Sequence, residues 1–123
     1  MRLATVPRVS VDVTDPEDTK LLVLARSSRA RTGASEGAAV RDLDGRTYTA
    51  ATVLLPSLQV TALALATAMA VSSGASGLAA AAVVTDAGSA AAADLAAVAD
   101  LAGSGVPVWI GNRSGTAVGL ART

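Results

Sequence analysis

Between Thr47 and Thr85 the chain carries no Asp, Glu, Lys, Arg, His or Cys, so nearly a third of a 123-residue protein must fold without acid-base or metal-binding side chains of those types. Pro56, Ser57, Gln59, Thr61, Ser72, Ser73, Gly74, Ser76 and Gly77 divide the stretch into short pieces. A bilayer span needs about 20 mostly apolar residues, so these pieces predict packed structure and no membrane span. Alanine makes up roughly a quarter of the chain, far above ordinary usage, while Phe is absent and Trp and Tyr occur once each. Such a core has to be packed through close backbone approach.

The length fits one domain with one core. We place that domain over residues 15–123, after an N-terminal arm or edge strand over residues 1–14, where Val9, Val11 and Val13 alternate with Ser10, Asp12 and Thr14. Ten basic residues balance ten acidic ones, which leaves no electrostatic footprint for neutralising many nucleic-acid phosphates. With neither Cys nor His, disulfides, thiolate ligands and imidazole ligands are excluded, and only carboxylates remain for a metal. Met1 to Ser10 has Arg2 and Arg8 but no apolar core segment with a small-residue cleavage site, so the cytoplasm is the expected compartment.

Asp15 supplies a helix N-cap, Pro16 suits the first helical position, and Glu17 and Asp18 complement the helix dipole. The first helix presents Leu21, Leu22, Leu24 and Ala25 as its apolar face. Arg26, Arg29 and Arg31 fall in its last turns before Gly33; they read as charge favoured at a helix C-terminus, with an anion site as the alternative. Gly37 to Val40, the Asp42-Leu43-Asp44-Gly45 turn and Arg46 to Val53 predict a β-hairpin. After Pro56 and Ser57, Val60 to Val71 predicts a helix with no polar face, which has to be buried in a core or a subunit interface.

Leu78 to Thr85 reads as a central strand covered on both faces. Ser89 is expected to cap a third helix running to Leu101 or Ala102, followed by a strand over Val106 to Ile110 and a last short strand over Ala117 to Leu120. The order helix-strand-strand-helix-strand-helix-strand, with that last strand optional, predicts an α/β fold: a three-layer α/β/α sandwich with a mixed sheet.

Few motifs carry chemistry. Gly33 with Gly37 and Gly111 with Gly115 do not follow a strand and open a helix, as a phosphate-cradling loop must. Asp15, Glu17 and Asp18 belong to a helix cap, and Asp42 and Asp44 to a hairpin turn. Without His no Ser-His triad can be assembled, and a Ser-Lys dyad would have to use Lys20, the only lysine.

The run from Leu21 to Arg31, then Gly37-Ala38-Ala39, Asp44-Gly45-Arg46, Thr52-Val53 and the helix opening from Leu63 to Ala70 resembles the small homotetrameric cytidine deaminases in order and spacing, over about residues 17–112. Where that family has a "VGAA" strand, a "DGR" turn and an "NVEN" strand end, this chain has "EGAA", "DGR" and "TVLL". Its "T-x-CAER-x-A" helix, "PCxxC" helix and "P-V" strand are met here by "TALALATA", "AAAAD" and "VPVWI".

The resemblance implies a cytidine deaminase-like fold and, in the family, a zinc ion held by one Cys or His and two further Cys. That ion activates a water while a Glu shuttles the proton. The first ligand position falls at Leu63, the glutamate at Leu65, and the later ligands near Ala91 and Asp94. The nucleoside-positioning Asn and Glu fall at Thr52 and Leu54, and an aromatic near Ala34. Neither catalytic nor metal-ligating residues nor a cofactor are therefore expected. Leu63 and Leu65 read as core closed over a former site, and Asp94 as a carboxylate favoured by the dipole of the third helix.

The expected function is that of a zinc-less, catalytically inactive family member with a structural or regulatory role, acting as a homo-oligomer, a dimer or tetramer, or through a protein partner. Nucleic acid and membrane are not expected partners. Two alternatives stay open at this point. One is a live hydrolase on a nucleoside or base, with a catalytic set drawn from Asp42, Asp44, Asp86, Asp94, Asp100, Tyr48 and Arg113. The other is a small-ligand binding module using the vestigial pocket.

Overall fold

The computed structural model describes residues 10–123. Helix α1 (Pro16–Thr32) starts as its sequence predicts: Asp15 accepts a hydrogen bond from the Glu17 N–H at 2.8 Å, Pro16 opens the first turn, and Gly33 ends the helix at φ 68°. Strands β1 (Gly37–Asp42) and β2 (Thr47–Ala51) form the hairpin around Asp42 to Gly45. Two three-residue strands, β3 (Val53–Leu55) and β4 (Leu58–Val60), then pair across Pro56 and Ser57 as a separate small hairpin.

Helix α2 (Ala62–Ser72) leads to β5 (Leu78–Val84), α3 (Ala92–Ala102), β6 (Pro107–Gly111) and β7 (Ala117–Arg122). The main sheet has the order β2-β1-β5-β6-β7, parallel between β5 and β6 and antiparallel elsewhere. Helix α1 covers one face, where Leu21, Leu22 and Ala25 pack with Ala39, Ala80, Ala82, Val84, Trp109 and Ala117. On the other face α2 and α3 place Leu63, Ala66, Ala70 and Val98 against Ala38, Val40, Ala81 and Val108. The expected three-layer α/β/α sandwich with a mixed sheet is therefore the observed architecture.

Two expectations need correction. The second strand of the first hairpin ends at Ala51, and the residues after it form the β3–β4 hairpin, which strand length alone does not announce. Ser89 does not cap α3: Gly88 turns the chain at φ 74°, Ser89 stays exposed, and the cap position falls to Ala91, which offers no side-chain acceptor. Helix α2 is buried on one side within the chain, with Ala68, Met69 and Val71 exposed, so of its two expected settings, core or subunit interface, the core accounts for one side only. Of the arm or edge strand expected over 1–14, residues 1–9 lie outside the described residues. Residues 10–14 form no strand, though Val11 N–H donates to Ala117 O at 2.9 Å beside β7. Among the described residues no helix is long and apolar enough to cross a membrane.

Small side chains let α1 approach the sheet closely. A Cβ on Gly37 would collide with the carbonyl oxygen of Ala25 and lie 2.8 Å from the backbone N of Arg29. Across this narrow gap Asp18 is buried and doubly tied: its Oδ1 accepts from Arg41 Nη2 on β1 and its Oδ2 from Trp109 Nε1 on β6, both at 2.9 Å. A buried carboxylate is stable only when paired in this way. Gly37→Ala should cost about 3 kcal/mol, the upper end of overpacking effects, because the obstacle is backbone. Gly77→Ala meets only the flexible Leu43 side chain and should cost less than about 1 kcal/mol. Urea unfolding midpoints of the two variants check the contrast; equal losses would contradict the close-approach account.

Candidate functional site

The N-termini of α2 and α3 meet at one hydroxyl and one carboxylate. Thr61 caps α2, its Oγ1 accepting from Ala64 N–H at 3.4 Å. The same hydroxyl donates to Asp94 Oδ1 at 2.6 Å. Asp94 is the acidic residue of the first turn of α3 and is buried, whereas the first turn of α2 has no acid. Helix N-termini carry positive partial charge, so one carboxylate between two of them is well placed, and a short charge-assisted bond to Thr61 completes it. Leu63 is fully buried beside this junction in the core shared with Ala66, Ala81, Val98 and Val108, and Leu65, Ala90 and Leu95 pack against that core partly buried.

Of the six positions singled out from sequence, the fold brings Leu63, Leu65, Ala91 and Asp94 to the α2–α3 side. Ala91 is the exposed N-cap of α3, and Leu54 lies 73% exposed on β3. Thr52 turns instead to the segment before β1: its Oγ1 accepts from Glu36 N–H at 3.2 Å and Ser35 Oγ at 3.3 Å and donates to Glu36 O at 3.3 Å. Thr61 was missed. The available signal was a Thr immediately before an Ala-Leu run, the ordinary N-cap pattern.

The remaining polar candidates do not converge. Asp42 organises the hairpin turn, its Oδ1 accepting from the N–H groups of Asp44 and Arg46 and its Oδ2 from the Tyr48 hydroxyl, each at 2.9 Å. Burial pushes its carboxyl up, but those donors and the Arg46 charge outweigh burial and hold it below the usual range. The bond to Asp42, then burial, raises the Tyr48 hydroxyl. Asp86 lies past the end of β5, held below the usual carboxylate range first by its hydrogen bond from Arg29, against the opposing effect of burial, with Arg29 and Arg113 charge adding to the lowering. Because Asp42 is paired with Leu78 at the start of β5, a seven-residue strand separates it from Asp86, about 20 Å. Asp44 and Asp100 are exposed.

Zinc does not fit the α2–α3 junction. The chain has no Cys or His, and the junction offers one carboxylate, already bonded to Thr61. Among the described residues no three acidic, Cys or His side chains gather as a metal site. Zinc needs three or four Cys, His or carboxylate ligands; Leu63, Leu65 and Ala91 provide none, which leaves Asp94 alone.

The overall fold superposes on those of solved cytidine deaminases. The enzyme from Burkholderia pseudomallei superposes with a TM-score of 0.71 at 22% identity, covering 85% of this chain and 89% of that one. The enzyme from Mycobacterium leprae gives 0.67 at 19% identity over 90% and 94%, and that from Mycobacterium tuberculosis 0.65 at 25% identity over 76% and 85%. Residues 14–115 match the family model described as cytidine deaminase-like, and the chain belongs to that family. No curated protein sequence matches it.

If the junction is core and not a site, its polar pair has to behave as a structural unit. Thr61→Val, which leaves Asp94 buried and unpaired, should cost about 1–3 kcal/mol, and Leu63→Ala about 2–5 kcal/mol. Thr61→Val combined with Asp94→Leu should lose less than Thr61→Val alone, since both partners are then apolar. Urea denaturation of the three variants checks the order; a double variant worse than the single would contradict it.

Proposed function

We propose that this chain is a cytoplasmic, zinc-independent and catalytically silent member of the cytidine deaminase-like family, with a structural or regulatory role exerted as a homo-oligomer. The observation that carries this reading is the α2–α3 junction, where Leu63 is core and Asp94 is engaged by Thr61 at 2.6 Å. Deamination of a cytosine ring requires an activated water and a proton shuttle. The positions aligned with those roles carry Leu63, Leu65, Ala91 and Asp94, the last already engaged by Thr61, and the other acidic candidates are spread over separate parts of the fold.

Its solved neighbours are cytidine deaminases, so the rival reading is a hydrolase of that class with a different catalytic set. Ultraviolet monitoring of purified protein with cytidine and deoxycytidine discriminates the two. The proposed reading expects no loss of substrate absorbance above the buffer rate, with or without added zinc. Turnover that scales with protein and survives further purification would overturn it.

Self-association is supported by what stays uncovered. Leu54, Leu55, Leu58 and Val71 each leave more than half of their surface exposed, and Met69 38%. An open cleft of about 420 Å³ runs between α2 and α3 along Ala64, Thr67, Ala68, Val71 and Leu101. Exposed apolar surface of this kind marks an interaction face. The leucines and Val71 lie within the uncharged stretch, and Asp100 is the one charged residue lining the cleft beside them, so a two-fold contact sets a mostly apolar patch against its own copy. Light scattering at micromolar concentration should give a dimer or tetramer, and Leu54→Lys with Leu58→Lys should shift it toward monomer while preserving circular dichroism. A monomeric wild type would contradict the proposal.

A further inference from the structure

On the opposite side of the sheet from the α2–α3 junction, at the end of α1, three arginines line one cleft, and two of them, Arg29 and Arg113, share the Asp86 carboxylate. Arg26, Arg29 and Arg113 line an open cleft of about 320 Å³ together with Ala30, Gly33 and Ala34. Arg26 and Arg29 stand three residues apart on α1 and so share a face. Arg113 arrives from the turn between β6 and β7, where Asn112 Oδ1 accepts from the N–H groups of Ser114 at 3.0 Å and Thr116 at 3.1 Å. The turn rests directly on the helix: a Cβ on Gly115 would lie 3.1 Å from Arg26 Cδ.

The charges in this cleft are not balanced. One oxygen of Asp86, Oδ2, accepts from both Arg29 Nη2 at 2.9 Å and Arg113 Nη2 at 3.2 Å. Among the described residues Arg26 makes no ion pair. Three guanidinium groups against one carboxylate leave a local excess of two positive charges. The Arg29 side chain is only 10% exposed, yet its Nη1 is buried without a hydrogen-bond acceptor among the described residues, while Nε reaches Ala34 O at 3.4 Å. A buried charged donor left unmet is costly. The negative end of the α1 dipole accounts for Arg29 and Arg31, the basic residues of its last turn. It accounts for neither Arg26, a turn earlier, nor Arg113, which comes from a distant part of the chain.

We propose that this cleft binds a small phosphate-bearing anion, gripped by Arg26, Arg29 and Arg113 in partial competition with Asp86. Arginine forks match phosphate oxygens in pairs, and a dianion neutralises the excess charge. The cleft volume suits a small ligand such as a phosphate monoester. The cleft lies on the α1 side of the sheet, across from the α2–α3 junction, and includes Ala34, near which the resemblance puts the family's aromatic.

Inorganic phosphate titrated into the full chain at constant ionic strength, with chloride as the balancing salt, tests the proposal. Amide chemical shifts read by NMR should move saturably at Gly33, Ala34 and Arg113 to Gly115, with chloride alone producing no such change. Arg26→Gln with Arg113→Gln, both exposed residues whose loss should leave the fold intact by circular dichroism, should weaken binding by about tenfold or more. Asp86→Asn, which removes the competing carboxylate, should tighten it. Non-saturable shifts, shifts confined to other parts of the molecule, or unchanged affinity in the double arginine variant would overturn the proposal, as would weaker phosphate binding by Asp86→Asn.

Discussion

Small side chains on both faces of the two central strands determine how near the helices come to the sheet. Ala38 and Ala81 face α2 and α3, while Ala39, Ala80 and Ala82 face α1. At Gly37 even a methyl group does not fit beneath the helix. Close approach wins dispersion contacts at short range but buries little apolar area per residue, since alanine has little to bury. The fold has therefore to be specified by more than the volume of its core.

A few buried polar ties supply that specification. Asp18, Asp42 and Asp94 are all buried, and each is met by donors: Arg41 and Trp109 for the first, two turn N–H groups and Tyr48 for the second, and Thr61 for the third. Asp18 joins α1 to two strands lying on either side of β5, and Asp94 joins the starts of α2 and α3. In this chain buried carboxylates serve as staples. The same economy bears on function, because the junction of the α2 and α3 starts in this chain holds buried Leu63 and the Thr61–Asp94 bond.

Much of this was legible in the sequence where local signals and tertiary demands agree. Asp15, Pro16 and Gly33 bound α1 at the residues their capping chemistry indicates, and the unbroken apolar run from Leu78 marks the central strand. The hairpin at Val53 to Val60 was not legible, because three-residue strands have no period to read and their leucines are exposed. The start of α3 was misread because Ser89 is a good cap by type, while the left-handed Gly88 and the pull of Thr61 on Asp94 set the helix start further on. Positions Leu63 and Asp94 could be named from the resemblance alone, but the partner of Asp94 lies 33 residues away. The arginine cleft was visible only in part: Arg26 and Arg29 are neighbours in sequence, whereas Arg113 and Asp86 join them only through the order of the sheet.

The central claim is that the cytidine deaminase-like scaffold persists here with its helix junction closed as core. Metal analysis tests it most directly: the purified chain is incubated with excess zinc, desalted, and its metal content measured against protein concentration. The account predicts no stoichiometric zinc, and retention of one zinc per chain would contradict it.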